Sequence, residues 1–380
     1  MNSVETDARL ERCIAPPAEA FCIPPECYSN DELLAREIEM IFRRKWVSIG
    51  HAGRFAAAGD FEALDIGGVP LIVLRDQSGG LRAYANSCRH RGARLLSGEG
   101  NCRGIRCPFH SWAYKLDGSL AVAPNMDDAV LFDRSHYGLV EFRAAELNGL
   151  AFVCLDRDAP GLEIQLADFA KVHAPWPMDT LVPVRRRSFD VECNWKTFLD
   201  VFNEYYHLPF VHADSINSVY APPEPATDVS GAFASQYGAT EGTGGLLEGE
   251  QDHALPAMPG LDPSVSSGVR YTWVFPNMAF AAGADAMWMY ETHPIDARRC
   301  HVVQTTCFPR QMIARDGFEE RARHYLERMD AAIGEDIPAL ENQQLGLNSP
   351  FAQQGRFQPL LEANVAAFAN WYARQMLGAQ

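Results

Sequence analysis

Two short donor clusters, Cys88-Arg89-His90 and Cys107-Pro108-Phe109-His110, stand sixteen residues apart. Each brings one thiolate and one imidazole. Bringing all four together needs two loop tips side by side, which limits how this part of the chain can fold. A tetrahedral S2N2 donor set fits zinc or an iron–sulfur centre. The single residue between Cys88 and His90 is a tighter spacing than the two to four residues usual in zinc sites.

The 380-residue chain is long enough for two domains at roughly 150 residues each. Its 47% apolar content supports sizeable cores, and its formal charge of −16 argues against a nucleic-acid partner. No stretch reaches the roughly 18 apolar residues of a membrane span, and the polar opening MNSVETDARLERC is unlike a signal peptide. The other eight cysteines, Cys13, Cys22, Cys27, Cys102, Cys154, Cys193, Cys300 and Cys307, lack disulfide-like spacing. They are expected to be free structural thiols in a reducing, cytoplasmic setting.

In chain order, the pattern predicts an N-terminal arm and helix over 1–44, a small antiparallel β domain over 45–160, and a larger α+β domain over 161–380. Ser29 and Glu32 are placed to form a capping box for the first helix. Gly92, Gly98, Gly100 and Gly104 are expected to let the backbone fold close around the donor clusters. In the larger domain a strand-like VRRRSFDVEC precedes a helix beginning at Asn194, which Pro209 should end or bend. The Gly-, Pro- and Ser-rich stretch from about 221 to 268 reads as a long mobile loop. Strands resume at VRYTWVFPNMAF, MWMYETHP and CHVVQTTCFP. A helix from Gly317 should stop at Gly334, and a last helix carries Leu361, Val365, Phe368 and Tyr372.

His207 and His212 form a second donor pair. Two His and one carboxylate, with positions left open, make the facial triad of non-haem Fe(II) oxygenases. The pair alone is a weak signal. It gains weight from the thiolate–imidazole clusters upstream.

Taken together, these features resemble the Rieske non-haem iron oxygenases, specifically their α (terminal oxygenase) subunit. The resemblance runs from about Trp46 to the C-terminus. It rests on Cys88/His90/Cys107/His110, Asn194-Trp195-Lys196, Glu204-x-Tyr206-His207-x4-His212, and Glu335-Asp336 with Glu341 and Gln344. It implies a [2Fe–2S] cluster on Cys88, His90, Cys107 and His110, and a mononuclear Fe(II) on His207, His212 and a distant carboxylate. Asp336 is the best match for that carboxylate, Glu335 the runner-up, and a helix N-cap the competing role for Asp336.

The resemblance also implies that Glu204 links His207 to a cluster histidine, expected to be His110, of a neighbouring subunit in a homotrimer. O2 is the implied co-substrate. Electrons are expected from NAD(P)H through a separate reductase or ferredoxin, since no dinucleotide fingerprint occurs in this chain. Where many members carry Glu-Asn, this chain has Leu199-Asp200.

The substrate is expected to be a small molecule, oxidised either by demethylation of a quaternary amine or by hydroxylation of an aromatic ring. The Glu335–Gly346 stretch leans toward betaine- and choline-type members. Candidate pocket residues are Tyr205, Phe210, Trp273, Phe275, Phe280, Trp288 and Tyr290. They could cage a cation or stack on a ring. An electron-carrying Rieske protein without catalysis, and a zinc-stapled binding protein, are the competing classes.

Overall fold

A computed structural model describes residues 3–378, and the chain is α+β, with antiparallel sheets in two compact units. One unit is Phe42–Pro160, and the other joins the residues up to Ile41 with those from Gly161 onward.

The Phe42–Pro160 unit is built on strands β1 (Val47–His51), β2 (Asp60–Ile66), β3 (Val69–Arg75), β4 (Leu81–Ala85), β5 (Glu99–Asn101), β6 (Ile105–Arg106), β7 (Ala113–Tyr114), β8 (Leu120–Val122), β9 (Glu141–Leu147) and β10 (Leu150–Cys154). Seven of them form a sheet in the order β1-β10-β9-β4-β3-β2-β5, and β6-β7-β8 form a small second sheet. β2 and β3 are joined at Gly67-Gly68, both with positive φ, as a two-residue hairpin turn requires. The apolar run Leu71–Leu74 is fully buried. The small sheet brings Trp112 and Tyr114 into one core with Ile72, Leu74, Cys88 and Cys107.

The other unit begins with α1 (Ser3–Glu11) and α2 (Asp31–Glu37). Asn30, rather than Ser29, caps α2, its side chain accepting the amides of Glu32 and Leu33. Two short helices, α3 (Leu162–Leu166) and α4 (Phe169–His173), lead into β11 (Leu181–Val191), α5 (Trp195–Phe202) and α6 (Leu208–Val211). Then come β12 (Phe233–Ala239), β13 (Gly268–Val274), β14 (Met278–Ala282), β15 (Met287–Asp296), β16 (Arg299–Pro309), α7 (Arg310–Ile313), α8 (Phe318–Leu347) and α9 (Ala363–Leu377). The strands form one antiparallel sheet in the order β11-β16-β15-β14-β13-β12.

Three local expectations change. The 221–268 stretch contributes a full strand, β12, paired with β13 over seven residues. Pro209 lies in the first turn of α6, where its missing amide would have had no helical partner anyway. And α8 runs through Gly334 and Pro338 without stopping. A proline there costs one backbone hydrogen bond, but Ala332, Ile333, Leu340 and Gln344 around it are buried, so packing holds the helix together. Among the described residues no helix is long and apolar enough to cross a membrane.

Candidate metal centres

In the Phe42–Pro160 unit the two donor clusters have matching backbones. Cys88 and Cys107 each accept an amide from four residues on, Gly92 at 2.9 Å and Ser111 at 3.1 Å. Both donors have positive φ, 74° and 60°, so the tight turn is paid for by glycine once and by a strained serine once. Of the four glycines expected to shape the site, only Gly92 lies within a cluster turn; Gly100 is in β5, opposite Phe61.

Both thiols are buried, whereas His90 and His110 are exposed, with ring centroids 4.7 Å apart. Trp112 stacks on His90 at 5.0 Å. The Tyr114 hydroxyl lies 3.3 Å from Cys88 Sγ and accepts the Arg89 amide at 3.0 Å. Desolvation, then the nearby His110 and Arg91, lower the His90 pKa and favour its neutral, ligating form.

Among the described residues, the donor sets lying within 4.8 Å of one another are His207/His212/Asp336 and Glu250/His324/Glu327. The Cys88/His90/Cys107/His110 group is not such a set. One tetrahedral ion draws its donors closer than that, with bonds of about 2.0–2.3 Å. The wider arrangement fits a two-iron group, with sulfur ligands on the buried side and imidazoles on the exposed side.

The second centre lies in the other unit. Asn194 caps α5 by accepting the Lys196 amide at 3.0 Å, and its own amide donates to Gln344 of α8 at 2.8 Å. This ties the start of α5 to the end of α8. Beyond α5, the single turn of α6 is flanked by His207 at its N-cap and His212 at its C-cap, which explains the four-residue gap between them.

Each imidazole is held from behind. His207 Nδ1 lies 2.6 Å from Glu204 Oε1, and Glu204 Oε2 accepts the amides of Tyr206 and His207. His212 Nδ1 lies 2.6 Å from Glu335 Oε2, which also accepts from Ser215 Oγ at 2.7 Å. With both Nδ1 protons donated to carboxylates, each Nε2 is a bare lone pair.

The two Nε2 atoms face Asp336 Oδ1, at 3.7 Å from His207 and 3.0 Å from His212. That oxygen is buried and accepts no well-formed hydrogen bond. Three lone pairs converging on one point repel unless a cation sits among them, so the donor set fits a divalent iron with open positions. Burial opposes the His212 imidazolium, but the Asp336 and Glu335 carboxylates outweigh it and raise its pKa, a sign of local negative potential. Asp336 is thus not a helix cap but an interior residue of α8 aimed at the pair, while its neighbour Glu335 steadies His212 from the far edge. No local signal in the sequence gives Glu335 that part. Asp200 stands apart, receiving the Tyr28 hydroxyl at 3.2 Å.

The triad borders a pocket whose other walls include Phe198, Phe202, Tyr205, Tyr271, Tyr290 and Arg328. Strand register explains the hollow. On one face of the sheet Tyr271, Ala281 and Trp288 form one row, and Trp273, Ala279 and Tyr290 the next. The alanines of β14 leave a trough between flanking aromatics.

Of the expected pocket residues, Tyr205 and Tyr290 line it, and Trp288 lies behind it under Arg328. Trp273 and Phe275 pack on Phe368 of α9 instead. Phe280 faces Phe169 and His173 on the opposite side of the sheet, and Phe210 is exposed. Phe198, Phe202, Tyr271 and Arg328 are pocket residues that the sequence reading missed.

Residues 45–140 match the Rieske [2Fe-2S] domain, and residues 178–378 match the ring hydroxylating alpha subunit (catalytic domain). The oxygenase subunit of carnitine monooxygenase from Escherichia coli K12 is 35% identical over 223 residues, 58% of this chain and 60% of that protein. The chain thus spans less than two thirds of that relative. The Acinetobacter pittii counterpart is 30% identical over 289 residues, 74% of each chain. A solved structure of a quaternary ammonium Rieske monooxygenase superposes with a TM-score of 0.82 at 25% identity, over 97% of this chain and 98% of that one. With both metal-binding folds matched in order along one chain, this protein belongs to the Rieske non-haem iron oxygenases as an α subunit.

Proposed function

We propose that this chain is the terminal oxygenase of a multicomponent system that oxidises a quaternary ammonium compound, releasing an alkyl group as an aldehyde. Cys88, His90, Cys107 and His110 would hold a [2Fe–2S] cluster, and His207, His212 and Asp336 a mononuclear Fe(II). When bound, the cluster supplies single electrons and the Fe(II) supplies the site at which O2 is activated. The relatives that act on carnitine support this substrate class.

The observation that carries the reading is the aromatic pocket set against the triad. Phe202, Tyr205, Tyr271 and Tyr290 line it, and aromatic side chains can hold a cation by its attraction to the ring quadrupole. Glu204 and Glu335 keep both Nε2 atoms turned to the Asp336 carboxylate, so the donor geometry is set before substrate arrives.

Electrons are taken to come from NAD(P)H through a separate reductase or ferredoxin, reaching the triad across a homotrimer interface by way of Glu204. The eight cysteines outside the cluster site form no disulfide and six of them are buried, which supports a cytoplasmic setting. Aromatic-ring hydroxylation is the second reading, because the same ring faces can stack on an aromatic substrate.

The deciding experiment is single-turnover chemistry on the chemically reduced protein, given O2 and separate pools of quaternary amines and aromatic carboxylates. Formaldehyde or another aldehyde from the amine pool is expected. A cis-diol or phenol from the aromatic pool alone would replace this reading with the second.

A further inference from the structure

We infer that the substrate carries a carboxylate and that Arg328 is its anchor. The inference rests on the pocket's being the substrate site.

Arg328 is 3% exposed and lines the same pocket as the triad. Arg328, Ala332 and Asp336 recur every four residues along α8, and all three face the pocket. Eight residues of helix rise about 12 Å, so the guanidinium belongs to the end of the pocket away from His207 and His212.

The surroundings of Arg328 are unusual for a buried charge. Lys196 and Arg328 are the buried lysine and arginine among the described residues. Lys196 is neutralised by Glu37 at 2.6 Å. Arg328 has no carboxylate partner among the described residues. Its Nη2 donates to the Tyr220 hydroxyl at 3.0 Å, its Nη1 meets Met329 Sδ at 3.6 Å, Tyr271 is a further neutral hydrogen-bond partner, and its Nε is buried without an acceptor.

The rest of the guanidinium lies over the Trp288 indole, its carbon 5.0 Å from the ring centroid, which orients the planar fork. Burial holds the neighbouring Tyr271 phenol well above its usual pKa, so it stays neutral and supplies no counter-charge. The pocket carboxylates Glu204 and Asp336 are committed to His207 and His212.

A guanidinium with spare donors in an apolar pocket is costly unless an anion completes it. Its fork geometry matches a carboxylate held by two parallel hydrogen bonds. One guanidinium and one tyrosine hydroxyl suit a single negative charge; a phosphate dianion would leave its second charge buried and unpaired. The substrate that fits both ends is a short zwitterion. Its carboxylate lies on Arg328, and its quaternary ammonium lies nearer the triad, along the aromatic wall that includes Phe202. An alcohol such as choline lacks the group that Arg328 awaits.

The test is calorimetric binding to the purified, iron-loaded protein, using two acid–ester pairs: γ-butyrobetaine with its methyl ester, and benzoate with methyl benzoate. The acid should bind roughly 10- to 100-fold more tightly than the ester in whichever pair the pocket accepts, as expected for a charge-assisted contact. Arg328→Met should erase that preference and Arg328→Lys should keep part of it, with both variants checked for native melting. The wild-type comparison needs no variant. A preference for benzoate over its ester, without γ-butyrobetaine binding, would keep Arg328 as the anchor while removing the quaternary-amine reading. No preference for acid over ester in either pair, absence of binding included, overturns the inference.

Discussion

Glu335 and Asp336, consecutive on α8, grip opposite edges of one imidazole. Glu335 Oε2 lies 2.6 Å from His212 Nδ1, and Asp336 Oδ1 lies 3.0 Å from His212 Nε2. Successive helical residues point about 100° apart, which lets two neighbours reach around a single ring. Their substitutions should therefore differ in kind. Asp336→Ala should lose mononuclear iron and turnover while the Rieske visible spectrum stays intact. Glu335→Gln should weaken iron binding roughly 10- to 100-fold without abolishing it. Iron analysis after dialysis, read beside the spectrum, checks both, and loss of the cluster in the Asp336 variant would contradict the assignment.

Glu204 holds His207 through a 2.6 Å contact with Nδ1. In Glu204→Gln the amide can still meet the ring, but the negative charge is gone. Both metals should remain bound, while oxidation of the reduced cluster by O2 and substrate slows by about tenfold or more. Stopped-flow absorbance measures this directly, and an unchanged rate would take Glu204 out of the electron path.

Glu37 is the hub of a fully buried polar cluster. It pairs with Lys196 at 2.6 Å and accepts from Trp195 Nε1 at 2.7 Å and from the Tyr372 hydroxyl at 2.6 Å. Removing one partner strands a buried charge, so Glu37→Ala or Lys196→Met should each cost about 3–5 kcal/mol of stability. A double substitution to well-packed apolar residues should cost less than the sum. Denaturant melts of the two single variants and the double variant test the coupling.

Asp200 has one carboxylate oxygen shielded from solvent without a donor. Burial, which outweighs the Tyr28 hydrogen bond and Lys196, pushes its pKa up to about 7. Between the ordinary carboxylate value of about 4 and that raised value, the folded state keeps a proton that the unfolded chain releases. Stability from this group is therefore present at low pH and is lost as pH rises through the window. Asp200→Asn should flatten the dependence and stabilise the protein by about 1–2 kcal/mol at pH 8, allowing for the partial exposure of the residue. At pH 5 the gain should be much smaller. Equal gains at both pH values would show that Asp200 is not the titrating group.

What could be read from the sequence follows the range of the interactions involved. The two thiolate–imidazole clusters and the His207/His212 pair are short-range patterns, and the fold brings each together. The length of α8 is hidden from the sequence because Gly334 and Pro338 are strong local stop signals, whereas the residues that override them are buried by the fold. Strand alternation does separate Phe280 from the pocket face. It does not separate Trp273 from Tyr271, which share that face; the difference is that Trp273 lies beneath Phe368 of α9 while Tyr271 meets Phe202 of α5. Arg328 was passed over because an arginine on an amphipathic helix ordinarily points to solvent.

The two metal centres are spread very differently along the chain. All four cluster donors fall between Cys88 and His110, within one unit that ends at Pro160. The triad needs His207 and His212, which lie between β11 and β12, and Asp336, which follows β16, the last strand of the six-stranded sheet. A polypeptide emerging from the ribosome can therefore finish the Cys88–His110 donor set while the His207/His212/Asp336 set does not yet exist. Iron bound by His207, His212 and Asp336 would then mark completed synthesis and a complete sheet, and each bound ion would draw the folding equilibrium toward that finished state.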